Sequence, residues 1–94
     1  MIWADAAKNT YLKLKTDPSQ EKRYKAVKKA IIQLSKDPRY PGLQSQPYRS
    51  LYGTKGENVF ESYAENNTPG AYRIFWYYGE QRNTIFIFLI TPHP

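Results

Sequence analysis

Cysteine is absent from these 94 residues, which removes a disulfide framework, a zinc-finger ligand set and a thiol nucleophile together. Histidine occurs once, as His93, so an all-protein transition-metal site is not expected, and no cofactor is expected. No apolar run approaches the roughly 18 residues that cross a bilayer. No membrane partner is expected, and with no signal peptide expected ahead of the fold the expected compartment is the cytoplasm. Acidic residues are also scarce, eight against 14 Lys and Arg, for a net charge of +6. Between residues 8 and 55 twelve of those basic residues meet only Asp17, Glu21 and Asp37, so that stretch carries +9 and the remainder −3. Such polarity, with a pI near 9.6, favours a polyanion or an acidic protein as partner. The plain alternative is a solvated lysine-rich surface.

What the chain does contain is strand signal. Ala71 to Gly79 alternates, with Tyr72, Ile74, Trp76 and Tyr78 on one face and Ala71, Arg73, Phe75 and Tyr77 on the other. Thr84 to Thr91 is apolar on both faces and rich in β-branched and aromatic residues, the pattern of a central strand covered on both sides. The polar residues 80–83 between them make an antiparallel hairpin. Arg73 interrupts the first strand and His93 follows the second, so a site is expected around those two.

Earlier in the chain, Ile2 and Trp3 suit a very short strand. Trp3, Ala7, Tyr11 and Leu14 then follow helical spacing from Asp5. Asp17-Pro18-Ser19-Gln20 restarts the chain, with Asp17 as N-cap, Pro18 at the first helical position and Gln20 placed to close a capping box. The second helix is expected to run to about Ser35. Its apolar stripe is Tyr24, Val27, Ala30, Ile31 and Leu34, and its opposite face carries Lys22, Lys25, Lys29 and Lys36. Pro38 and Pro41-Gly42 open a loop to about Pro47. Tyr48 to Tyr52 reads equally as a short strand or as part of that loop. Asn58 to Ala64 is a strand with Val59, Glu61 and Tyr63 on one face. The expected fold is one α+β domain spanning residues 1–94, a two-helix hairpin on a twisted antiparallel sheet of three to four strands. Ile74, Trp76, Ile87 and Leu89 are expected in its core against Val27, Ile31 and Leu34.

Several stretches together resemble the RelE/ParE superfamily of type II toxin–antitoxin toxins. They are the lysine-rich helix closing in Leu34-Ser35-Lys36-Asp37-Pro38-Arg39, the loop after it, Tyr72-Arg73-Ile74-Phe75-Trp76, and an apolar last strand ending near a histidine. Ile2-Trp3 followed by a helix is similar to the start of YoeB-type members. The resemblance implies a RelE-like toxin neutralised by an antitoxin that wraps it. Many members cut mRNA in the ribosomal A site, whereas the ParE branch inhibits DNA gyrase.

The chemistry so implied is metal-free RNA cleavage. A base takes the 2′-hydroxyl proton, the 2′-oxygen attacks phosphorus, cations neutralise the phosphorane, and an acid protonates the leaving 5′-oxygen. By the resemblance Arg73 stands at the strand arginine, whose fork matches phosphate oxygens, and His93 stands near a C-terminal histidine suited to act as acid. Arg49 is the candidate second cation and Glu61 the candidate base, provided it shares a face with Arg73. Lys22, Lys25, Lys29, Lys36 and Arg39 are candidate RNA contacts, as are Tyr63 and Tyr77 by stacking. Arg73 has the alternative of pairing with Glu61 or Glu65, and His93 of lying in a solvated tail. The chain also departs from the family: Phe60-Glu61-Ser62-Tyr63-Ala64-Glu65 lacks the Lys or Arg of RelE-type nucleases, and Gln44-Ser45-Gln46 replaces a YoeB-like glutamate. A non-catalytic binding toxin, acting on gyrase or only on its antitoxin, is therefore the alternative to an mRNA endonuclease, with a small basic RNA-binding module third.

Overall fold

In the computed structural model, which describes residues 1–66, 70–81 and 83–92, two helices lie over one face of a five-stranded sheet. The strands are β1 (Ile2–Trp3), β2 (Gln46–Tyr52), β3 (Asn58–Tyr63), β4 (Tyr72–Tyr78) and β5 (Ile85–Pro92), in the order β1-β5-β4-β3-β2. Helix α1 spans Asp5–Thr16 and helix α2 spans Glu21–Lys36. The α+β expectation holds, but the sheet is larger than three to four strands and is not purely antiparallel. Ile2 and Trp3 pair parallel to Phe86 and Ile87, and the stretch Gln46–Tyr52 is a full edge strand rather than loop. Pro47 is compatible with that strand because it lies at the sheet edge. Among the described residues no helix is long and apolar enough to cross a membrane.

Local chemistry accounts for the helix boundaries. Asp17 accepts hydrogen bonds from the Ser19 backbone N–H (2.9 Å) and hydroxyl (2.7 Å), starting the short turn Pro18–Gln20 that leads into α2. Gln20 does not close a capping box; its Oε1 accepts from Arg23 at 3.4 Å. The apolar stripe of α2 is where the spacing puts it, with Val27, Ala30, Ile31 and Leu34 all buried. They meet Ile74, Trp76, Ile85, Ile87 and Ile90 from the sheet, and Ala7 and Leu14 of α1 complete the layer.

The other face differs from the sequence reading. Among the described residues no helix covers β5 on that side. Instead Val59, Phe75 and Tyr77 are buried beneath half-buried Tyr48, Leu51, Phe86, Phe88 and Leu89. The sheet shields its own second face: the Tyr48 ring reaches across β3 to meet Phe75 edge-on at 4.9 Å, and Tyr77 stacks on Phe86 at 4.8 Å. Leu89 belongs to this second cluster and not to the helix-side core. The cause is a bulge, because Phe75 pairs with Leu89 while the next residue, Trp76, pairs with Ile87. One extra residue on β5 turns Phe88 and Leu89 to the same face.

A hydrogen-bonded chain ties the loop after α2 to this core. Trp76 Nε1 donates to Ser62 Oγ at 2.7 Å, the Ser62 and Ser45 hydroxyls lie 2.6 Å apart, and Ser45 donates to the Pro38 carbonyl at 3.2 Å. Each hydroxyl has one proton, so with Ser45 donating to Pro38 the direction along the chain is fixed: Trp76 to Ser62 to Ser45 to Pro38.

Candidate nucleic-acid interface

Register decides which candidates meet. Tyr63 pairs with Arg73, and Glu61 pairs with both Phe75 and Gln46. Directly paired residues share a face, as do residues two apart. Glu61, Tyr63 and Arg73 therefore share the face away from the helices, with Glu61 and Arg73 diagonal to one another. The Arg73 guanidinium carbon sits 3.9 Å from the Tyr63 ring centroid, and its Nη1 donates to the Ala71 carbonyl at 3.3 Å. Glu61 Oε1 accepts from Gln46 Nε2 at 2.7 Å. Both charged residues are enclosed, each only 3% exposed.

Glu65 is engaged elsewhere. It accepts from Arg23 Nε at 3.0 Å and from the Tyr72 N–H at 2.8 Å, while the Arg23 guanidinium covers the Tyr72 ring at 4.4 Å. Of the two carboxylates considered for Arg73, Glu61 is the one on its face. Thr91 lies opposite Arg73 and Pro92 opposite Tyr72. His93 lies outside the described residues.

The remaining candidates separate. Arg49 is exposed on β2 beyond Pro47, which pairs with Phe60. It lies about four strand positions, or roughly 13 Å, from the level of Tyr63 and Arg73, so the structure does not bring it to Arg73. Tyr77 is 5% exposed and stacked on Phe86, which leaves its face closed to a base. Lys22, Lys25, Lys29, Lys36 and Arg39 are all exposed. Lys25 makes a 3.1 Å surface pair with Glu21, the kind that contributes little in water.

Two open clefts flank the loop after α2. One, about 410 Å³, is walled by Lys29, Tyr40 and Tyr63 over a floor of Ala26, Ala30 and Ala64. The second, about 390 Å³, lies between Arg39 and Tyr40 on one side and Phe60, Trp76 and Tyr78 on the other. Tyr40 is common to both and passes unnoticed in the sequence. Its available signal is Gly42: a Cβ there would lie 2.6 Å from Tyr40 Cε2, so the ring is laid against bare backbone. Among the described residues no group of three or more His, Cys, Asp or Glu could hold a metal ion.

Comparison with protein families, curated proteins and solved structures finds no match to this chain.

Proposed function

We propose that this protein is a RelE/ParE-type toxin that cleaves mRNA on the ribosome without a metal and is neutralised by an acidic antitoxin. The observation that carries the reading is the β3–β4 register, which sets Arg73 on one sheet face with Glu61 and Tyr63. In this reading Arg73 neutralises the phosphorane, Glu61 accepts the 2′-hydroxyl proton, and His93 protonates the leaving 5′-oxygen. The helix pair over a five-stranded mixed sheet and the exposed lysines of α2 are consistent with it.

One observation favours a second reading. Arg73 and Glu61 are both 3% exposed, so a phosphate reaches them only if the covering side chains move. A toxin acting purely by binding, on gyrase or on its antitoxin, has no such requirement.

Induced expression with primer extension on total mRNA separates the two. Codon-linked cuts are expected with the wild type and none with Arg73→Ala. His93→Gln is expected to cut about 10²- to 10⁴-fold more slowly, the usual contribution of a general acid. Circular dichroism on purified Arg73→Ala checks that its fold persists. Intact mRNA with broken DNA assigns the protein to gyrase instead.

A further inference from the structure

We infer that Tyr40 is a partition between two nucleobase subsites, and that the paired clefts hold two consecutive nucleotides of single-stranded RNA. The inference rests on the reading of this protein as RNA-acting. It adds a place where the strand is gripped, beyond the Arg73 face. Both volumes, about 410 and 390 Å³, fall within the range of small-ligand sites. The walls suit stacking. Tyr40 is 45% and Tyr78 46% exposed, so these two rings present aromatic surface, while Phe60 and Trp76 beside Tyr78 are stacked on one another at 5.0 Å. Every base offers a π-face to such walls whatever its identity.

Charge points the same way. Lys29 lines the first cleft and Arg39 the second, and among the described residues no Asp or Glu lines either. An anionic backbone passing over the Tyr40 edge therefore meets a cation on each side. Gln33 in the first cleft and Gln44 in the second supply donors and acceptors for base edges.

The partition is also held in place, which an incidental surface tyrosine is not. Its ring is laid against Gly42. Asp37 braces the turn below it, accepting from the Arg39 N–H through Oδ1 at 3.0 Å and from the Tyr40 N–H through its carbonyl at 3.0 Å. The Trp76–Ser62–Ser45–Pro38 chain then anchors the loop to the sheet. The wall is preformed, so little ordering is left to oppose binding.

The test is fluorescence anisotropy with a labelled single-stranded RNA decamer, run beside primer extension in cells. Tyr40→Ala is expected to bind about 5- to 100-fold more weakly, the loss for one stacking platform, with the slope against salt unchanged. Tyr40→Phe keeps the ring and is expected to bind like wild type, which separates stacking from loss of fold. Gly42→Ala displaces the ring and is expected to weaken binding as well. Wild type that ignores the decamer, or Tyr40→Ala that binds as tightly as wild type, overturns the inference. If Tyr40 proves dispensable while wild type still cuts mRNA, the inference falls and the nuclease reading stands. If binding depends on Tyr40 but no mRNA is cut, the trough stands and the nuclease reading falls.

Discussion

Tyr11 lies between Trp3 and Tyr24, with ring centroids 5.2 and 5.4 Å away, in an aromatic chain joining β1, α1 and α2. Burial pushes its hydroxyl up to about 12, helped by the hydrogen bond with Tyr24. A phenol in the unfolded chain titrates near 10, so the native state holds this proton more tightly. The resulting stabilisation is fully present below pH ~10 and is lost as pH rises toward ~12. The urea midpoint of wild type is therefore expected to fall between pH 9 and pH 11, and that of Tyr11→Phe to fall less. Equal falls in the two proteins would move the alkaline sensitivity to another group. Arg73 is likewise packed on an aromatic ring, its guanidinium carbon 3.9 Å from the Tyr63 centroid, an arrangement in which the ring face attracts the cation. The sequence marked Arg73 as unusual through its place in an apolar strand, but gave no sign of whether it would be presented or enclosed.

At the scale of elements, periodicity carried both helices, the hairpin and the β3 facing pattern, because each depends on neighbours within a few residues. It missed what depends on distant ones. The parallel pairing of Ile2 and Trp3 with β5 joins residues more than 80 apart. The ion pair of Arg23 with Glu65 spans 42 positions. The bulge opposite Phe75 and Trp76 leaves an unbroken apolar run in the sequence, so simple alternation assigned Leu89 to the wrong layer. Of the candidate site, strand parity made Glu61 and Tyr63 legible as one face of β3, but only the β3–β4 register, which pairs Tyr63 with Arg73, brings Arg73 to that face; Tyr40 was not legible, since a loop has no period. The bulge yields an element-scale prediction. Ile87, fully buried against the helices, is expected to cost about 2–5 kcal/mol as Ile87→Ala. Leu89→Ala, half-buried on the other face, is expected to cost less than half of that. Chemical denaturation of the two variants checks the order, and equal losses would remove the bulge.

At the scale of the whole molecule, four of the nine lysines form a line along α2. Residues 22, 25, 29 and 36 fall within about 60° of one another on a helix of 3.6 residues per turn. The stripe runs along the 16 residues of α2, about 24 Å, and reaches Lys36, just ahead of Arg39 and the Tyr40 clefts. A strand seated in those clefts would continue along it. Each phosphate a lysine neutralises releases counterions, adding about 0.7 to the slope of log K against log salt for a single strand. The quadruple variant of Lys22, Lys25, Lys29 and Lys36 to Gln is thus expected to bind single-stranded RNA more weakly and to lose roughly 2–3 units of that slope. Tyr40→Ala, by contrast, should weaken binding without changing the slope, because stacking releases no counterions. All four lysines are exposed, so the Gln variant is not expected to disturb the core, and a thermal melt checks that. A slope unaltered by the four substitutions would make the stripe a solvated helix surface and would also remove Lys29 as a phosphate contact in the first cleft.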